Sequence, residues 1–128
     1  MSKKICFIRH AEPDRNGDLS EHGLLSAKKF IFYLKPGQKV FVSELLRSKK
    51  TAQAIFPLME DFYSMEILNE WDKNSETEAQ FKDRVERALK ELPDDCVVIG
   101  HSRFMNWAHW ILKGKPTLGF DYLEGFLT

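Results

Sequence analysis

Three apolar runs in this chain end on residues suited to holding an anion. Ile5-Cys6-Phe7-Ile8 leads into Arg9-His10, Val40-Phe41-Val42 into Ser43 to Arg47, and Cys96-Val97-Val98-Ile99 into Gly100-His101-Ser102. Two guanidiniums and two imidazoles brought to one place form a cationic pocket, whose natural guest is a phosphate or a carboxylate. Helices that start after Ser43 and after Ser102 would aim their free N–H groups at the same point, which again favours an anion.

For these groups to converge, the runs must lie side by side. The first two are short and rich in β-branched residues, as in strands buried on both faces. Between them, Ser20 caps a helix in which Leu24, Ala27, Phe30, Ile31 and Leu34 recur at helical spacing, with Leu19 and Leu24 placed as a hydrophobic staple. Pro36-Gly37 stops that segment, and a further helix is expected from about Ser48 to Pro57. Met65-Glu66-Ile67-Leu68 alternates as a third strand would. Ser75-Glu76-Thr77-Glu78 has the form of a capping box, and the helix after it sets Phe81, Val85, Ala88, Leu89 and Leu92 on one face. The spacing predicts a last helix over Arg103 to Lys113, stopped by Gly114, and the tail with Phe120, Tyr122, Leu123, Phe126 and Leu127 is expected to add an edge strand. Trp107 and Trp110 are read as packing that last helix, one of them free to face the pocket mouth. Strand and helix alternate throughout, without repeat or linker. The fold class expected is α/β: a three-layer sandwich whose mostly parallel central sheet is flanked by helices on both faces. In such sheets ligands bind beyond the carboxyl ends of the strands, where the polar residues stand.

Composition narrows the function classes. The 128 residues, 43% hydrophobic and 30% charged, fit one folded domain spanning 1–128. Nineteen basic residues balance nineteen acidic ones, which argues against a broad nucleic-acid or membrane-surface footprint. Met1-Ser2-Lys3-Lys4 leads into too few apolar positions for a signal peptide, and no run is long enough to span a membrane, so the expected location is the cytoplasm. Cys6 and Cys96 sit in apolar runs without CxxC or Cys/His spacing and are read as reduced core residues. No GxxxxGK, GxGxxG or HExxH motif occurs, and the sequence calls for no metal or cofactor.

Four segments, in order, resemble the histidine phosphatase superfamily, the group that includes phosphoglycerate mutases and small phosphatases. Phe7-Ile8-Arg9-His10-Ala11-Glu12 is similar to its strand-terminal Arg-His-Gly motif, and Leu19 to Gly23 to the helix start that follows. Ser43 to Ser48 with Thr51-Ala52 is similar to its second-arginine motif, and Val97 to His101 to its second-histidine strand. The resemblance implies that His10 attacks phosphorus and holds a phosphohistidine that water hydrolyses, while Arg9, Arg47 and His101 bind the phosphoryl oxygens. It further implies Glu70, in Ile67-Leu68-Asn69-Glu70-Trp71, as the acid that protonates the leaving oxygen, with Glu12 as the rival. Asn16 is implied as a neutral phosphate contact. Ala11 and Ser102 stand where the family has glycine; each adds a Cβ where backbone approaches phosphate, and Ser102 can also offer a hydroxyl donor.

Two other chemistries fit parts of the same residues. Gly100-His101-Ser102 begins like a hydrolase nucleophile elbow, but the closing glycine is absent and little chain follows to supply an acid and a histidine in that fold's order. Cys96 to Arg103 mimics a cysteine-phosphatase loop with one residue too many, and Cys96 lies at the wrong end of its strand. The leading expectation is a metal-independent phosphatase acting on a phosphorylated small molecule or phosphoprotein. A phosphate-binding or regulatory module of the same fold and a mutase-like phosphotransferase are the alternatives. Short rim segments, Pro13 to Asp18 and Trp71 to Ser75, imply an open site, which suits hydrolysis better than a transfer that must exclude water.

Overall fold

The structure, a computed structural model, describes residues 3–128; Met1 and Ser2 of the basic lead-in lie outside the described residues. Its elements run β1 (Ile5–Arg9), α1 (Glu21–Lys29), β2 (Val40–Val42), α2 (Leu46–Ile55), β3 (Tyr63–Ser64), a 3₁₀ turn (Glu66–Leu68), α3 (Glu78–Glu91), β4 (Cys96–Gly100), α4 (Ser102–Lys113) and β5 (Gly125–Leu127). They form an α/β fold around one five-stranded sheet of order β3-β2-β4-β1-β5. Every pairing is parallel except that of β5, which runs antiparallel along β1.

Alternate strand residues feed two apolar clusters, as the two-residue period of a strand dictates. Ile5, Phe7, Phe41, Cys96 and Val98 join Phe81, Val85, Ala88 and Leu89 of α3 and Phe104, Met105 and Ala108 of α4. Ile8, Val40, Val42, Val97 and Ile99 join Ala27 of α1 and Ala52 and Ile55 of α2. No described helix is long and apolar enough to cross a membrane.

Several boundaries differ from the sequence expectations. The helix α1 ends at Lys29: Phe30 is its C-cap, and the chain onward is extended, with Phe30, Phe32 and Leu34 against the core while Ile31 and Tyr33 face out. Ser20 caps the helix as expected, through the Gly23 N–H at 3.0 Å, and Leu24 is 38% exposed. Met65 to Leu68 is not a strand. The ladder takes Tyr63–Ser64 instead, and Glu66–Leu68 coils into the 3₁₀ turn that buries Leu68. The capping box at α3 is built by Thr77 and Gln80, two residues later than expected, because Ser75 and Glu76 are drawn into a turn on Asp72. Helix α2 starts at Leu46, before Ser48, and α4 and the edge strand β5 fall where expected. Cys96 is buried, but Cys6 is only half-buried; both thiols are free.

Candidate active site

Register sets the site. β1 and β4 align Arg9 with Gly100, and β2 and β4 align Val42 with Ile99, so His10, His101 and Ser43 emerge together at the carboxyl edge of three adjacent strands. The imidazoles of His10 and His101 lie 5.1 Å apart between centroids, with 3% and 0% of each residue exposed.

The hydrogen bonds fix where the protons are. His10 Nδ1 lies 2.8 Å from the Ala11 carbonyl oxygen, which can only accept, so Nδ1 carries the proton and Nε2 keeps its lone pair. Arg47 Nε donates to that Nε2 at 3.3 Å. Ser43 Oγ accepts from the Leu45 N–H at 3.3 Å and lies 2.7 Å from His101 Nε2. His101 Nε2 is the acceptor within reach of the Ser43 hydroxyl, so the hydroxyl proton is assigned to that bond and the His101 proton to Nδ1. That Nδ1 is buried and has no partner.

Burial, and then the Arg47 and Arg9 charges, push His10 down from the ordinary 6.5 to about 4, against a partial upward pull from its bond to Ala11. Burial pushes His101 down to about 2, helped by the charges of His10, Arg47, Arg9 and Arg84. Both rings are neutral at pH 7. A buried neutral histidine becomes a nucleophile at Nε2 when Arg47 turns its Nε–H from that lone pair to an arriving anion, and one with an unpaired Nδ1–H is a donor awaiting an acceptor.

Arg9 is aimed from the far side by the chain's last segment. Its Nη1 donates to the Phe120 carbonyl at 2.7 Å, its guanidinium lies 4.2 Å from the Tyr122 ring centre, and its Nε is buried without a partner. Gly125 lets β5 come this close, since a Cβ there would sit 1.7 Å from the Phe7 carbonyl oxygen. Arg9, Glu70 and Ser102 line one cavity of about 740 Å³ together with Arg103 and Asn106. Ser102 is the first residue of α4, whose cap His101 makes no side-chain cap bond, so the leading N–H groups of the helix remain available.

Glu70 is held by its backbone. Arg84 of α3 donates to the carbonyls of Ile67, Asn69 and Glu70 at 3.0, 2.6 and 3.3 Å and pairs with Glu76 through two nitrogens. Asn69 also bridges to Glu44, accepting from its N–H at 2.9 Å, which ties this loop to the one after β2. The Glu70 carboxylate accepts only from the Trp71 N–H, at 3.0 Å. Glu12, by contrast, accepts from Ser20 Oγ at 2.8 Å and lines a different cavity, with His22, Gly23 and Tyr122. Asn16 sits on an exposed turn, its backbone N–H bonded to Asp14, and no hydrogen bond joins it to the two histidines or Arg47.

The competing chemistries do not assemble. Burial pushes the Cys96 thiol up to about 11, and it lies at the opposite end of β4 from His101. Ser102 makes no hydrogen bond to either site histidine, and Ser43 holds His101 instead.

The fold has clear counterparts among solved structures. The phosphoglycerate mutase of Bacillus anthracis str. Sterne superposes with a TM-score of 0.75 over 98% of this chain and 86% of its own, at 14% identity. The alpha-ribazole phosphatase of Shigella flexneri gives 0.76 over 93% and 86%, at 18% identity. For the phosphoglycerate mutase of Thermus thermophilus the score is 0.67 over 94% and 87%, at 21% identity. The chain has the fold shared by these phosphoglycerate mutase and alpha-ribazole phosphatase structures. No protein-family model matches the sequence, and no curated protein matches it.

The two positions where the resemblance implies glycine are accommodated. Neither Ala11 nor Ser102 is among the positive-φ residues, so neither position requires glycine's dihedral freedom. Ala11 is fully buried and donates its N–H to Thr51 Oγ1 at 2.9 Å, while Ser102 begins a helix. Ser43 and Arg84 escaped sequence reasoning as individual residues. Ser43 stood inside a motif whose arginine drew the attention; Arg84 had no signal beyond being an arginine in an otherwise legible helix.

Proposed function

We propose that this protein is a metal-independent phosphatase that hydrolyses phosphomonoesters or a phosphorylated side chain through a phosphohistidine on His10. The observation that carries the reading is the pair of neutral imidazoles of opposite polarity, His10 offering a lone pair and His101 an N–H, between two arginines. Arg9, Arg47, His101 Nδ1 and the first N–H groups of α4 bind the phosphoryl oxygens, and Ser102 adds a donor at the same edge. The His10 Nε2 lone pair forms the N–P bond as the P–O bond to the leaving group breaks, and Glu70 supplies the proton to the departing oxygen. Water then attacks phosphorus and gives its proton to the Glu70 carboxylate, and the N–P bond breaks to release inorganic phosphate and free His10.

The role of Glu70 rests on its place in the Arg9 cavity, and that of Glu12 is excluded from this scheme by its commitment to Ser20. Asn16 has no part in it. The solved structures of this fold include proteins named for both phosphatase and mutase activity; the exposure of the Glu70 cavity to solvent favours water as acceptor. With this function go a helix layer on each face of the sheet and a cytoplasmic setting.

Rapid quenching with a phosphorylated substrate, followed by mass spectrometry under non-acidic conditions, tests the proposal. An acid-labile phosphate on the His10 peptide, absent from His10→Ala together with turnover, is expected. Undiminished turnover in His10→Ala would overturn it.

A further inference from the structure

The chain's last segment holds the Arg9 side chain at two separate points. Nη1 is tied to the Phe120 carbonyl, and the centre of the guanidinium lies over the Tyr122 ring, 4.2 Å from the ring centre. A planar group held by one hydrogen bond can swing about that bond; a second contact away from it removes the freedom. The Tyr122 ring also packs beside that of His10, with 5.9 Å between centroids.

The turn that carries Tyr122 is built to keep it in place. The Glu124 N–H donates to the Asp121 carbonyl at 3.1 Å, the Asp121 carboxylate accepts from the Tyr122 N–H at 2.9 Å, and the Glu124 carboxylate accepts from the Asp121 N–H at 2.6 Å. This turn is pinned to Arg9 itself, whose backbone N–H and carbonyl bond to Glu124 and Leu123 at 2.8 and 3.1 Å. Leu123 has a φ of 63°, a left-handed conformation that costs a leucine and that glycine usually supplies. With it, Leu123 packs on the apolar cluster beneath α1 and α2 while its neighbour Tyr122 stays on Arg9. Stability gains little from Tyr122 itself: the residue is 37% exposed, and its hydroxyl makes no hydrogen bond among the described residues.

We infer that Tyr122 is a positioning residue for Arg9, its ring fixing the guanidinium so that the edge carrying Nε and Nη2 is presented to an anion. The inference rests on the proposed function for the identity of that anion, a phosphoryl group. Nη1 is occupied, Nε is buried without a partner, and Nη2 makes no hydrogen bond among the described residues. An anion on this edge can take two parallel bonds, the strong mode of guanidinium binding. Without the ring, the anion itself would have to order the arginine, which weakens binding by roughly 2- to 12-fold for one long side chain.

Isothermal titration with inorganic phosphate tests the role in wild type, Tyr122→Leu, Tyr122→Phe, Arg9→Lys and the Tyr122→Leu/Arg9→Lys double variant. Tyr122→Leu should lower the affinity by about 2- to 12-fold, and Tyr122→Phe, which keeps the ring, should restore it. In Arg9→Lys, whose ammonium has no edge to orient, Tyr122→Leu should have no further effect. A merely structural role would weaken both backgrounds alike, so equal losses overturn the inference. A loss in Tyr122→Phe as large as in Tyr122→Leu also overturns it, by moving the role to the hydroxyl. Monoester hydrolysis together with equal losses leaves the phosphatase standing without this role for Tyr122. The expected pattern of phosphate binding in a protein that hydrolyses no monoester upholds the positioning role and removes the phosphohistidine reading.

Discussion

Keeping two buried imidazoles neutral makes the folded state sensitive to acid well above the carboxylate range. Unfolded, each histidine takes a proton near 6.5; folded, His10 does so only at about 4 and His101 at about 2. Below 6.5 the unfolded chain therefore binds more protons, so stability is fully present above that pH and is lost as the pH falls toward the folded values. At pH 5 both rings are still neutral in the folded protein, so their mutual repulsion has not yet entered and the losses simply add. Each histidine costs about 2 kcal/mol at pH 5, at 1.36 kcal/mol per unit below 6.5, for a total of about 4. That is a large part of the 5–15 kcal/mol typical of a domain. Urea titrations at pH 7.5 and 5.0 read it directly. With a slope of about 2 kcal/mol/M, the wild-type midpoint should fall by about 2 M, and that of His101→Asn by about half as much. Asp94, whose carboxyl is held below 3.8 by the Lys4 N–H, titrates outside this window. An equal midpoint shift in wild type and in the His10→Asn/His101→Asn double variant would refute the burial argument.

The same geometry gives three shorter predictions. Glu70→Gln should slow hydrolysis of esters with poor leaving groups by roughly 10²- to 10⁴-fold and of activated aryl esters far less, because only the former need the proton; equal losses count against an acid role. Ser43→Ala removes the hydroxyl that fixes the His101 tautomer, so kcat/KM and affinity for a phosphate mimic such as vanadate should both fall about 10-fold or more, and the buried Nε2 left without its partner should cost about 1–3 kcal/mol in thermal unfolding. In Gly23→Ala the new Cβ meets the Glu12 carbonyl oxygen at 2.2 Å, and the displaced loop should cost about 1–3 kcal/mol in thermal unfolding and disturb Ala11 and His10 upstream.

Strand ends were legible because their signals are local. A short apolar run with a polar residue behind it reads the same in sequence and in space, and the parallel register of β1, β2 and β4 then carries Arg9, His10, Ser43 and His101 to one edge. Where two periods coincide, sequence reading failed. Ala27, Phe30 and Leu34 fit a helical face, but Phe30, Phe32 and Leu34 also fit an extended segment with Ile31 and Tyr33 outside, and Pro36-Gly37 does not tell the two apart. Likewise Met65, Ile67 and Leu68 pack on the core from a 3₁₀ turn, while the neighbouring strand is the exposed pair Tyr63–Ser64, which bears no apolar pattern at all. The bond between Ser43 and His101 spans 58 residues and leaves no trace in local spacing. Nor does the Arg84 anchor of the Glu70 loop, which depends on carbonyls that only a turn would turn toward it.

Charge balance explains why the site waits for an anion. The chain carries equal numbers of basic and acidic residues, yet the side-chain ion pairs among the described residues are Lys35 with Asp95 and Arg84 with Glu76. Neither Arg9 nor Arg47 has a carboxylate. Arg9 is left with a carbonyl, an aromatic face and an unpaired Nε, and Arg47 with the lone pair of His10. Both guanidiniums are half-buried, and a partly desolvated cation without a counter-charge costs stability, so pairing them would favour the fold alone. Burial first, and then the same two guanidiniums, keep the His10 ring neutral, and a carboxylate placed to satisfy them would oppose that effect and fill the space an oxyanion takes in the proposed reaction. Leaving them unpaired is thus a condition of the chemistry proposed above, in which the phosphoryl group that would accept from Arg9, Arg47 and His101 is also the electrophile for the His10 lone pair.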